Sequence, residues 1–190
     1  MGQKEVKSVA YCGGMTPEDY KVAKSLYPAV HLEPCANYKK TYDAVASGEC
    51  DVAVIPFEKG ASGDIGVVLN LMFEGDLFIN KVINWDTPSD TVRYAVFSRE
   101  ENTEPLEGTG NFLMMFTVKD ETGCLARAIN VISDHGFNMS IMRSNKRKGL
   151  PWNYYFFVEA QGDYLAGEGP AMVKELTEAC ETLKIFGRYE

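Results

Sequence analysis

Eight consecutive residues, Pro151-Trp152-Asn153-Tyr154-Tyr155-Phe156-Phe157-Val158, hold five aromatic side chains and no charge. A solvated loop does not carry that much apolar surface. Bulk and β-propensity together predict a buried strand with aromatic edges. The chain then closes on Leu183-Lys184-Ile185-Phe186-Gly187-Arg188-Tyr189, a second run of similar character.

The pattern around these runs predicts a strand over 112–118, a helix over 124–134, strands over 138–143 and 154–160, a helix over 170–183 and a strand over 184–188. That order is βαββαβ, the ferredoxin-like plan, and it predicts a domain over 111–190.

Residues 6–98 follow another rhythm, with short apolar runs between amphipathic stretches. Val6 to Cys12 reads as a strand ending at Gly13-Gly14. Thr16-Pro17-Glu18-Asp19 opens a helix, with a hydroxyl at the N-cap, proline in the first turn and acids where the helix dipole favours them. A short strand is expected over 30–32 and a helix over 41–47, stopped by Gly48. Asp51-Val52-Ala53-Val54-Ile55-Pro56 is nearly all apolar, as in a strand buried on both faces of a parallel sheet. A glycine-rich turn over 59–66, a helix over 67–73 and strands over 78–83 and 91–97 complete an α/β layered domain over 1–98. Residues 99–110 are polar, acidic and broken by Pro105, Gly108 and Gly110, and read as a linker.

With 45% hydrophobic and 24% charged residues in 190, the chain can bury a core in two small domains. A net charge of −8 argues against a sequence-independent hold on nucleic acid or an anionic membrane. The basic cluster Asn145-Lys146-Arg147-Lys148-Gly149 reads as a solvated hairpin tip. Five cysteines (Cys12, Cys35, Cys50, Cys124, Cys180) form no Cys-x-x-Cys or Cys/His grouping. Neither a metal site nor a disulfide framework is expected, and free thiols suit a reducing compartment. Met1-Gly2-Gln3-Lys4-Glu5 carries no apolar leader and no run reaches membrane-spanning length, so a cytoplasmic protein without a cofactor is expected. His31 and His135 read as surface or helix-end residues.

The two aromatic runs resemble the end of the ACT regulatory domain of prephenate dehydratases. Thr122-Gly123-Cys124-Leu125 and Gly136-Phe137-Asn138-Met139 are similar to that family's Pro-Gly-Ala-Leu and Gly-Ile-Asn-Leu turns. Gly123 allows close approach of backbone to a small ligand, and the N–H groups opening the next helix suit an amino-acid carboxylate. The resemblance implies an ACT domain over 111–190 that binds phenylalanine or a similar amino acid through Gly123, Cys124, Leu125, Asn138 and Met139. It also implies side-by-side pairing into a homodimer, which would cover an exposed sheet edge. The family's Ile-Glu-Ser-Arg-Pro falls on Ile141-Met142-Arg143-Ser144-Asn145, where only the isoleucine is kept. That loop helps define the phenylalanine pocket in relatives.

The first half is similar to the catalytic domain of the same family in two segments. Residues 42–58, ending Val52-Ala53-Val54-Ile55-Pro56-Phe57-Glu58, follow its Asp…Val-Pro-Ile-Glu pattern. Asp86-Thr87-Pro88-Ser89-Asp90-Thr91-Val92-Arg93-Tyr94 matches its Asp-x-Pro-x-Asn-x-Thr-Arg-Phe pattern position for position. In relatives a whole second lobe lies between these segments. Here fewer than thirty residues separate them, so the resemblance implies one periplasmic-binding-protein-like lobe without its companion.

A prephenate dehydratase protonates a leaving hydroxyl as carboxylate departs as CO2, and the family places a threonine hydroxyl at that point. This chain has Val92, which keeps threonine's shape but has no proton to give. The neighbouring Thr91 should face the other side of the strand unless a bulge intervenes. The family's Glu-Asn-Ser reads Glu58-Lys59-Gly60, and its Gly-Pro-x-Gly-Thr-Phe-Ser reads Gly13-Gly14-Met15-Thr16-Pro17-Glu18-Asp19. Arg93 is kept. In relatives the equivalent arginine pairs with substrate carboxylate, for which a guanidinium is the natural partner; the alternative is an ion pair with Glu58 or Asp86. The candidate catalytic residues are therefore Arg93, Glu58 and Thr91. The expectation is a catalytically impaired, amino-acid-sensing relative in phenylalanine biosynthesis. The alternative is an active dehydratase or decarboxylase with its cleft rebuilt across a dimer.

Overall fold

A computed structural model describes residues 5–61, 63–146 and 154–190. Outside the described residues lie most of the segment read for a leader (1–4), Ser62 of the glycine-rich turn, and 147–153, which hold much of the basic cluster and the start of the aromatic run. The chain divides into two units, Met1–Asn102 and Thr103–Glu190.

In the first unit the elements are β1 (Ser8–Cys12), α1 (Pro17–Leu26), β2 (His31–Cys35), α2 (Tyr38–Ala46), β3 (Val52–Lys59), β4 (Gly63–Asp64), α3 (Gly66–Glu74), β5 (Phe78–Asp86) and β6 (Thr91–Ser98). The sheet runs β2-β1-β3-β6-β5, with β4 paired to β3. β1 is parallel to β2 and β3, whereas β6 is antiparallel to β3 and β5. The apolar run 52–55 thus becomes the central strand, and β3 is buried continuously from Val52 to Glu58. One sheet face packs Val9, Val52, Val54, Val92, Tyr94 and Val96 against Val22 and Ala23 of α1. Strand alternation turns Phe97 to the other face, where its ring meets that of Tyr42 from α2, edge-on at 5.6 Å.

Local chemistry shifts several predicted boundaries. Thr16 occupies the N-cap of α1 in extended conformation, but its side chain makes no capping bond. Helix α2 begins at Tyr38, not 41, because the Asn37 side chain accepts from the Lys40 N–H at 2.9 Å; two lysines in that turn mask the amphipathic period. Strand β2 reaches Cys35 and tolerates Pro34 because it lies at the sheet edge.

The second unit contains β7 (Asn111–Thr117), α4 (Cys124–Asp134), β8 (Asn138–Lys146), β9 (Tyr154–Gln161), α5 (Gly169–Ala179) and β10 (Thr182–Tyr189). Its sheet is antiparallel throughout, in the order β10-β7-β9-β8. Phe112, Met114, Phe116, Val158 and Ala160 meet Ala128 and Ile132 of α4 and Met172 and Leu176 of α5 in one core. Helix α5 stops at Ala179 rather than 183. Thr182 already pairs with Thr117, so the sheet ladder overrides the helical pattern of the segment.

Candidate functional site

The β3–β6 ladder pairs Pro56 with Tyr94 and then Glu58 with Arg93, leaving Phe57 as an extra residue. Without that bulge Glu58 would stand opposite Val92, on the other face of the sheet. With it, Arg93 Nη1 donates to Glu58 Oε2 at 2.8 Å, with side-chain exposures of 18% and 11%. The Arg93 guanidinium also lies over the Phe57 ring, 5.0 Å from its centroid. On its β5 side, Arg93 pairs in register with Asn84.

Thr91, the third candidate, shares this face by alternation, but its hydroxyl donates to Asp86 Oδ1 at 2.7 Å. Val92 points the opposite way into the apolar core of α1 and is only 8% exposed. The intervening turn is closely held. Thr87 N–H and Oγ1 both donate to Asp90 O, at 2.8 and 2.7 Å, while Ala61 N–H donates to Asp90 Oδ1 at 2.9 Å. A Cβ at Gly60 would fall 2.8 Å from Asp90 Oδ1 and 3.3 Å from the Thr91 carbonyl oxygen, so a larger residue would displace the Asp90 side chain that ties the two loops.

A feature missed in the sequence lies behind Val92. Asp19, in the first turn of α1, is fully buried and accepts from Tyr94 Oη at 2.8 Å. Its other oxygen has no hydrogen-bond partner among the described residues. Burial raises its carboxyl above the ordinary range, opposed by Tyr94, Thr16 and Lys59. Acids in a first helical turn usually face solvent, so only packing against Tyr94 exposes this role. Cys12 and Cys35 pair in register on β1 and β2, and all five cysteines are free thiols. Burial raises both of these thiols, which makes them poor nucleophiles.

In the second unit Gly123 precedes α4 with φ +85°, a conformation that favours glycine. Leu125 and Met139 lean on the apolar core, and Cys124 is half-buried. The Asn138 amide donates to Gln161 Oε1 at 3.1 Å. Gly123, Cys124 and Leu125 stand at the start of α4, whereas Asn138 and Met139 follow its end. The eleven-residue helix separates the groups by about 16 Å. His135, at the C-terminus of α4, lies between Glu175 Oε2 at 3.0 Å and Glu168 Oε2 at 3.2 Å. It is a helix-end residue as expected, but its acids come from α5 and from the residue that precedes it, and were invisible to local reading. Those hydrogen bonds, Glu175 first, raise the imidazole above its ordinary value.

Among the described residues no group of three or more His, Cys, Asp or Glu is placed to hold a metal ion, and no helix is long and apolar enough to cross a membrane.

Residues 9–87 match the prephenate dehydratase family. The bifunctional chorismate mutase/prephenate dehydratase of Aquifex aeolicus (strain VF5) is 32% identical over 104 residues, 55% of this chain and 28% of that protein. The Escherichia coli (strain K12) protein of the same description is 24% identical over 97 residues, 51% of this chain and 25% of that one. The chain spans about a quarter of the length of the curated relatives it matches.

Solved structures extend the likeness in fold. Prephenate dehydratase from Streptococcus mutans superposes with a TM-score of 0.83 at 21% identity, covering 96% of this chain and 97% of that one. Prephenate dehydratase from Arthrobacter aurescens, in complex with L-Phe, gives 0.82 at 13%, covering 96% and 89%. A chain described as GqqA, a novel type of quorum quenching acylase, gives 0.80 at 24%, covering 96% and 94%. One fold thus carries differently described activities, and the site must decide between them. Residues 9–87 are thus similar to the prephenate dehydratase family, and the solved structures show that the chain shares its fold.

Proposed function

We propose that this chain is a non-catalytic, amino-acid-sensing relative of prephenate dehydratase, acting in phenylalanine biosynthesis in the cytoplasm. In this reading the first unit is a single dehydratase-like lobe and the second an ACT domain, joined through the polar segment over 99–110. The observation that carries the reading is Val92. It occupies the place of the family's hydroxyl, lies buried against α1, and its neighbour Thr91 is on the opposite face and bonded to Asp86. A valine cannot protonate a leaving hydroxyl, and Thr91 faces away from the point where one is needed.

The sensing half rests on Gly123, Cys124, Leu125, Asn138 and Met139. Their separation by the length of α4 supports a site shared between two copies, with the start of α4 from one and Asn138-Met139 from the other. The ligand is phenylalanine or a similar amino acid, in keeping with the L-Phe bound by the Arthrobacter protein.

A second reading is favoured by one observation, the closeness of Arg93 and Glu58 on one face. It is dehydration or decarboxylation of prephenate in a cleft rebuilt across a dimer.

Phenylpyruvate formation from prephenate at neutral pH, against a no-protein blank, separates the two. A rate equal to the blank is expected. Turnover well above it, lost in Arg93→Ala, would establish the second reading and end the first.

A further inference from the structure

We propose that Cys12 and Cys35 form a modification site, a thiol pair that closes into a reversible disulfide on meeting an oxidised small-molecule disulfide such as glutathione disulfide. The bridge fastens the loop after β1 to the connection that opens α2. It stands whether or not the chain is catalytic.

Register carries the argument. Cys12 and Cys35 end β1 and β2 and are direct partners in the parallel ladder, so their side chains leave the same face of the sheet. Neighbouring strands lie about 4.8 Å apart, within the Cα separation of about 4.4–6.8 Å that a disulfide spans. The strands stay together past the pair, since Gly13 N–H donates to Cys35 O at 2.9 Å. A Cβ at Gly13 would fall 2.9 Å from Pro34 Cβ, and one at Gly14 would fall 2.8 Å from the Ala36 carbonyl oxygen. Around the thiols the two segments therefore approach more closely than side chains would allow.

The same spacing sets the kind of disulfide. Cβ atoms of parallel partners keep roughly the strand spacing of about 4.8 Å, just beyond the about 3.5–4.5 Å of a relaxed bridge. Closure takes a small inward shift, and a bridge held under that strain is readily reduced, as regulatory disulfides are.

Access sets the order of events. Cys12 is fully buried, whereas Cys35 is half-buried on the edge strand. Cys35, its proton given to solvent, attacks one sulfur of glutathione disulfide and releases one glutathione. Cys12 then loses its proton and attacks the Cys35 sulfur of the mixed disulfide, and the second glutathione leaves. Two protein thiols are oxidised as one glutathione disulfide is reduced. Burial raises both thiols, so closure is slow at neutral pH and faster in alkali.

The test is incubation of the full chain with excess glutathione disulfide, alkylation in denaturant, tryptic digestion without reductant and mass spectrometry. Cys12, Cys35 and Cys50 fall in separate peptides, 8–21, 25–39 and 41–59, so the partner is read directly. A bridged pair of 8–21 with 25–39 is expected, reopened by dithiothreitol. Cys12→Ser should stop at the mixed disulfide on Cys35, and Cys35→Ser should leave Cys12 unmodified. A mixed disulfide that never progresses in the unaltered chain, a bridge that uses Cys50, or full alkylation of both thiols overturns the proposal. If Cys12→Ser does not fold, the unaltered chain alone decides between the bridge and these outcomes.

Discussion

Gly123 and Asn138 stand at opposite ends of α4. One helix length, about 16 Å for eleven residues, is more than a single amino acid can bridge. The residues expected to form one effector site are therefore spread over both ends of a helix within one chain. In the proposed sensor, a two-fold arrangement of copies with antiparallel α4 helices would bring the two groups together.

Ligand binding and assembly should then be linked. Phenylalanine is expected to raise the mass measured by light scattering from near the monomer value of 21.1 kDa toward twice that value at dilute protein. Gly123→Ala, which forces alanine into a left-handed conformation at a cost of about 1–2 kcal/mol, should weaken the response. A mass that ignores phenylalanine, with no heat on titration, would count against the sensor.

Asp19 predicts an unusual pH dependence for the first unit. Its carboxyl is raised chiefly by burial, so the folded state holds the proton more tightly than the unfolded chain. That contribution is complete below the ordinary carboxylate range and is lost as pH rises through the folded value. Asp19→Asn, which cannot ionise and still accepts from Tyr94, should raise the urea midpoint at neutral pH. The gain should shrink in acid. A midpoint that falls at neutral pH would mean the charge is satisfied in place.

The His135 ion pairs predict the complementary window in the second unit. Glu175 and then Glu168 raise the imidazole above its ordinary 6.5, so stability from this contact is full below that value and fades as pH rises through the folded one. Thermal melting of the unaltered chain and His135→Gln should differ most near about pH 6 and converge in alkali. Parallel curves at all pH values would show that the imidazole acts by shape alone.

Packing around Tyr42 sets a third stability test. A Cβ at Gly75 would fall 2.4 Å from the Tyr42 hydroxyl, which is buried and accepts from the Leu77 N–H at 3.0 Å. Gly75→Ala should cost about 1–3 kcal/mol in urea denaturation. At Gly66 nothing lies within 4 Å, and the same substitution there should change stability by about 0.5 kcal/mol or less.

Much of this molecule is legible in its residues one after another. Val52 to Ile55 is a run too apolar for any place but a central strand, and β3 is that strand. The βαββαβ order of the second unit follows from alternation and period alone. The opposed directions of Thr91 and Val92 follow from the two-residue repeat of a strand, because both lie in an unbroken stretch of β6. These are local properties, set by backbone geometry and by the need to bury apolar area.

Contacts that depend on register or on distant elements were decided elsewhere. A single extra residue at Phe57 moves Glu58 from the Val92 face to the Arg93 face, and no composition rule marks where a ladder will slip. Asp19 reads as a helix-opening acid until Tyr94, 75 positions away, closes over it. His135 gains its carboxylates from α5 and from Glu168 just before it. In each case the sequence determined which groups were present, and the tertiary structure decided which of them meet, because charge and hydrogen-bond partners are chosen by proximity in space and not along the chain.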